Sequence, residues 1–161
     1  MPGKNIMHIK KAMFMNSMWT KIAGTCAMIV AVVLWVASIS HIANPYYFFE
    51  KIVAYDLAMS TFTMKAASVV LPVFELGIAS SLVTCTNRRP IFIMALGLFA
   101  VYMVIQGQAL VRGLVIDCGC FGALAKREVG TVSLSIATIL LAVSGIGIYA
   151  EPSRDGRDKC G

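Results

Sequence analysis

Four apolar blocks, at about residues 20–40, 66–84, 91–111 and 131–150, constrain this chain more than any other feature. Each is close to the ~20 residues that a helix needs to cross a ~30 Å hydrocarbon core. A lipid interior offers no partners to backbone N–H and C=O groups, so a spanning segment must satisfy them itself, as a helix does. The expected architecture is all-α: an integral membrane four-helix bundle, read as a single membrane domain over residues 1–161. Composition agrees, with 58% hydrophobic and only 14% charged residues, against about 25% charged in soluble domains.

The first block is expected to be retained as a span. Its apolar core is longer than the 7–15 residues of a cleaved leader, and a long basic segment precedes it. The net charge of +6 could suggest nucleic acid in a soluble protein, but here the basic residues flank apolar blocks and bear on orientation instead. Lys4, Lys10, Lys11, Lys21, Arg88, Arg89, Arg154, Arg157 and Lys159 fall on one side, nine in all, against five on the other, Lys51, Lys65, Arg112, Lys126 and Arg127. The positive-inside rule then puts both termini in the cytoplasm of a bacterial inner membrane. The loops after spans one and three face outward, into the periplasm. The expected partners are the lipid bilayer and extracytoplasmic protein, with no nucleic acid.

The first outer loop carries structure of its own. Asn44-Pro45 reads as an N-cap followed by a proline at the first helical position. Tyr46, Phe49, Val53 and Leu57 recur at helical spacing among Glu50, Lys51 and Asp56. This predicts a short amphipathic helix lying at the outer interface, anchored by the aromatics and able to roof what lies beneath it.

Polar residues gather in the outer half of the predicted bundle. His41 ends span one, Glu75 lies within span two, and Gln106, Gln108 and Arg112 close span three. An ionisable group at membrane depth is costly and faces a partner or a polar interior, which makes Glu75 a candidate catalytic residue. The competing role is a structural bond to another helix through Arg112 or Gln106. His41, Gln106 and Arg112 are candidate cofactor-binding residues, although His41 also suits an interfacial position and the glutamines suit helix–helix adhesion. With only two histidines, His8 and His41, no histidine-rich metal site is expected.

Of five cysteines, Cys26, Cys85 and Cys160 fall in the inner half or the cytoplasmic tail, where packing or tail roles suffice. Cys118 and Cys120 share the outer loop, in Asp117-Cys118-Gly119-Cys120-Phe121-Gly122. Disulfides persist on that side. A bridge across one intervening residue closes a small, strained ring, and strained exposed disulfides exchange readily. Gly119 supplies the backbone freedom the ring needs. Asp117 opposes thiolate formation, while Arg112, Lys126 and Arg127 offset it. Redox exchange, soft-metal binding and a structural staple all remain open. The staple would close too short a loop to contribute much entropy.

Ser40-His41-Ile42-Ala43-Asn44-Pro45, Leu71-Pro72-Val73-Phe74-Glu75-Leu76 and Cys118-Gly119-Cys120-Phe121-Gly122, set among four spans, resemble the MauE/DoxX-like group of redox-associated membrane proteins. The resemblance covers about residues 30–150. It implies disulfide formation or electron transfer to extracytoplasmic thiol partners. The outline is also similar to quinone-linked disulfide-generating membrane proteins, which implies a quinone as cofactor, reached here from one outer cysteine pair. Cys118 and Cys120 would then be catalytic with Glu75, while His41 and Arg112 help line the pocket and manage protons. The alternatives are a non-catalytic assembly subunit of a larger membrane complex and a soft-metal-handling membrane protein.

Overall fold

A computed structural model describes residues 3–55, 60–114 and 131–151, and the side chains of 15, 17–55, 60–114 and 132–151. The described residues form five helices, α1 (Gly3–Ala43), α2 (Pro45–Ala54), α3 (Thr61–Thr84), α4 (Arg89–Val111) and α5 (Thr131–Ala150). Four are long and apolar enough to cross a membrane, over Ser17–Ala43, Thr61–Thr84, Arg89–Val111 and Val132–Ala150. The protein is an all-α, multi-pass membrane bundle, as the apolar blocks predict.

Two helices run further than those blocks. α1 continues back to Gly3, because nothing between Lys4 and Ala23 breaks a helix and lysine, methionine and alanine favour one. α3 starts at Thr61 rather than near 66, because the Ser60 hydroxyl accepts the Thr63 N–H at 3.3 Å and caps it there. α4 opens with Pro90 in its first turn, where a missing N–H costs nothing.

The bundle is sealed unequally. α1 packs along α3 and along α5, and α4 packs along α5, while α3 and α4 touch only sparsely. The core uses Ala23, Ala27, Val30, Ala31 and Leu34 of α1, recurring at three- and four-residue spacing, against Ala79 and Leu82 of α3 and Phe92, Ala95 and Phe99 of α4. Small residues let helix backbones approach, which in lipid replaces the missing hydrophobic drive with close packing. At Gly147 of α5 a Cβ would overlap the Phe92 ring, so the aromatic occupies the space that glycine leaves. The opposite faces carry Ile39, Val69, Val73, Val104 and Ile139, each more than half exposed, which suits lipid and not water.

α2 lies across the end of the bundle where α1 and α4 finish and α3 and α5 begin. It forms as predicted, but two details differ. The Asn44 side chain makes no capping bond, so Pro45, with its fixed φ, starts the helix. Of the expected apolar stripe, Tyr46 and Val53 are exposed, and Phe48 is the residue buried from α2. The helix is rotated to stack Phe48 on His41, with ring centroids 3.9 Å apart and planes at 25°. The outward side leaves Lys51 over the Tyr47 ring at 4.7 Å. Leu57 lies outside the described residues.

Candidate functional site

The interior polar groups meet in pairs rather than in one pocket. On α1, Ser38 is fully buried and its hydroxyl donates to the carbonyl oxygen of Pro72 at 2.6 Å. Proline inside α3 has no N–H, so this helix is short of one backbone bond at that turn, and Ser38 ties the weakened turn to α1. One turn further along α3, on the same face, comes Glu75.

Glu75 is wholly buried, and its Oε1 accepts the Tyr102 hydroxyl of α4. Its Oε2 is also buried and has no hydrogen-bond partner among the described residues. The sequence suggested Arg112 or Gln106 as the residue that would hold this carboxyl. Neither holds it in the bonds observed, because both lie nearer the end of α4. With α3 starting at Thr61, Glu75 stands about 21 Å along the helix at 1.5 Å per residue. That is past the midpoint of α3 itself, and on α4 it is level with Tyr102, one turn below Gln106.

Gln106 is buried one turn beyond Tyr102 on the same side of α4, and its Oε1 accepts the Ser133 hydroxyl of α5 at 3.0 Å. Arg112, the C-cap residue of α4, reaches across the end of the bundle and donates from Nη1 to the Tyr55 carbonyl oxygen at 3.3 Å, fastening the end of α2. His41 is 2% exposed, covered by Phe48, and its Nδ1 has no hydrogen-bond partner among the described residues. It is therefore a buried group under α2, rather than a side chain at the water interface.

Of the predicted residues, Glu75 and Gln106 share one polar column through α4, whereas His41 and Arg112 each bind α2 separately. Cys118 and Cys120 lie outside the described residues. They belong to the connection that leaves α4 after Leu114 and enters α5 at Thr131. Gln106 and Ser133 therefore sit at the roots of that connection. Two members of the column, Tyr102 and Ser133, were missed by inspection of the sequence. A tyrosine four residues before a buried glutamine on one helix face is the signal that points to Tyr102.

Chain-wide comparison agrees with this architecture. The family described as methylamine utilisation protein MauE matches residues 19–150, which takes in all but the first two residues of the four spans, together with α2 and the cysteine connection. The chain belongs to the MauE family. No curated protein and no solved structure matches it. Within this MauE-type bundle Cys26 is a buried free thiol on α1, whereas Cys85, buried at the C-cap of α3, is disulfide-bonded. Packing alone therefore does not describe Cys85.

Proposed function

We propose that this MauE-family protein is a membrane thiol–disulfide oxidoreductase that works through Cys118 and Cys120, with a bacterial inner-membrane location and the cysteine connection in the periplasm. The observation that supports it is the buried polar column of Glu75, Tyr102, Gln106 and Ser133, which climbs α4 towards the connection that carries the two cysteines. An ionisable side chain such as Glu75 at membrane depth points to a working site, and the far half of the bundle core is built largely of apolar residues.

The chemistry balances without a metal. A thiolate of an extracytoplasmic dithiol partner attacks one sulfur of the Cys118–Cys120 disulfide, which breaks that bond and forms a mixed disulfide. The partner's second thiolate then attacks the partner sulfur of that mixed disulfide and displaces this chain's cysteine thiolate, so the partner leaves oxidised. Two electrons and two protons remain on Cys118 and Cys120. Returning the pair to the disulfide needs a two-electron, two-proton acceptor, and a membrane quinone is the acceptor of that class soluble in the bilayer. Glu75 offers the fit: its buried Oε2 is unpartnered and able to exchange a hydrogen bond with a quinone oxygen. The quinone supplies electron capacity. The protein's own residues orient it, exclude water and hold a proton at the Glu75 carboxyl.

Single substitutions test the exchange step. A dithiol partner whose second cysteine is replaced by serine is expected to stall as a mixed disulfide on the Cys118–Cys120 pair, visible as a reducible adduct on a non-reducing gel. The Cys118→Ser, Cys120→Ser double variant is expected to show none. Adduct that persists in the double variant assigns the chemistry to another cysteine. A complete lack of adduct, with membrane assembly intact, favours an accessory subunit.

A further inference from the structure

We infer that the sparse α3–α4 seam is the lateral binding site for a quinone head group, and that Tyr102 is the residue positioning Glu75 to receive it. The inference rests on the oxidoreductase proposal for its redox partner, but its geometry stands alone.

Three of the four sides of the bundle are closed by extended packing, α1 on α3, α1 on α5 and α4 on α5. The fourth, between α3 and α4, is thin. The Tyr102–Glu75 hydrogen bond bridges it at mid-membrane. Each member of the pair has a lipid-facing neighbour in sequence. Phe74 is 42% exposed and Val101 is 54% exposed. Tyr102 is itself only half-buried, so a lipid-soluble ring can reach the pair by entering from the bilayer between α3 and α4.

Glu75 has the hydrogen-bonding capacity such a ring needs. Tyr102 uses Oε1 as its acceptor, which fixes the carboxyl rotamer and leaves Oε2 as a buried polar atom without a partner. As the acid, Oε2 donates to a carbonyl oxygen. As the carboxylate, it accepts from a hydroxyl. One group therefore serves both the quinone and the quinol. Among the described residues no lysine or arginine bonds to Glu75, so a phosphate head group would lack a counter-charge here, and at this depth it would be stripped of water. A neutral ring with oxygens at its edge meets neither obstacle. The apolar groove lined by Val69, Val70, Val73 and Phe74 is not this site, because Val69, Val70 and Val73 face away from Glu75 around α3.

The full chain in lipid nanodiscs, photolabelled with a short-tailed azido-quinone and mapped by peptide mass spectrometry, tests the site. Label is expected on α3 near Phe74 and on α4 near Val101. Tyr102→Phe frees the carboxyl to rotate, and Glu75→Leu removes it. Each is expected to cut labelling about tenfold, the loss of roughly one hydrogen bond to a buried group. Glu75→Gln keeps a donor and is expected to stay within about threefold. Phe74→Ala, which leaves the polar pair intact, is expected to raise labelling. Label placed elsewhere, absent, or indifferent to Tyr102→Phe and Glu75→Leu overturns the seam site. If Cys118 and Cys120 are still oxidised by quinone in that case, the oxidoreductase proposal survives its loss. Seam label in a protein whose cysteines never cycle supports the site and removes the redox proposal instead.

Discussion

The two ends of this bundle solve the same burial problem in different ways. At the far end, α1, α3, α4 and α5 meet through Ala27, Ala31, Ala79 and Ala95, and Phe92 lies in the space left at Gly147. At the α2 end the interior holds Ser38, His41, Glu75, Gln106 and Ser133, all buried. Lipid gives helices little reason to associate except close packing and interhelical hydrogen bonds. The far end relies mainly on the first, and the α2 end adds the second. The second brings ionisable and hydrogen-bonding groups into the membrane. Under the oxidoreductase proposal, the difference separates a region that holds the fold from one that binds the acceptor and handles protons.

If that division is right, substitutions at the two ends should fail in different ways. The largest effect on stability is expected at the far end. Gly147→Val drives a branched side chain into Phe92 and should cost about 1–3 kcal/mol or more, read as a lower midpoint of unfolding in detergent. Gly97→Ala, where an added Cβ meets nothing within 4 Å, is the matched control and should leave that midpoint unchanged or higher. At the α2 end, Ser38→Ala removes the bond to the Pro72 carbonyl and should cost about 0.5–1.5 kcal/mol. Gln106→Leu should be similarly mild in stability, because Ser133 can turn its hydroxyl to its own helix, yet it should slow quinone-dependent oxidation of the cysteine pair. A Gln106→Leu protein with full activity would blur the division.

Ser144 sharpens the comparison because it is an exception. It is fully buried well along α5 towards the far end, and its hydroxyl has no hydrogen-bond partner among the described residues. An unpaired buried hydroxyl is a cost with no compensating bond, so Ser144→Ala should be neutral or stabilising by up to about 1 kcal/mol. Loss of activity in that variant, at undiminished stability, would move the working region deeper than Glu75.

The membrane architecture was legible in the sequence because spanning length and apolarity are strong, local signals. Four blocks gave four helices, and Asn44-Pro45 marked α2 correctly in place though not in capping detail. The pairing of polar side chains was not legible, since it depends on helix rotation and relative depth. Glu75 stood out as a carboxyl within an apolar block, but its partner, Tyr102, looks like one aromatic among many until α3 and α4 are set in register. His41 was read as interfacial because its position ends a span, and it is buried because α2 folds back over it through Phe48. The start of α3 was placed late because Lys65 interrupts the apolar run, while the Ser60 cap sets the true boundary. The cysteine pair was visible in the sequence as Cys-Gly-Cys, and its chemistry is what remains to be measured.

The most direct test follows the redox state of Cys118 and Cys120 in isolated membranes. Thiols are trapped with a bulky alkylating reagent before and after adding a reduced dithiol protein, and again after adding a quinone analogue. The account predicts that the pair becomes alkylatable after the first addition and protected after the second, with the second step slowed by Tyr102→Phe. A pair that stays locked as a disulfide, or stays alkylatable throughout, contradicts it.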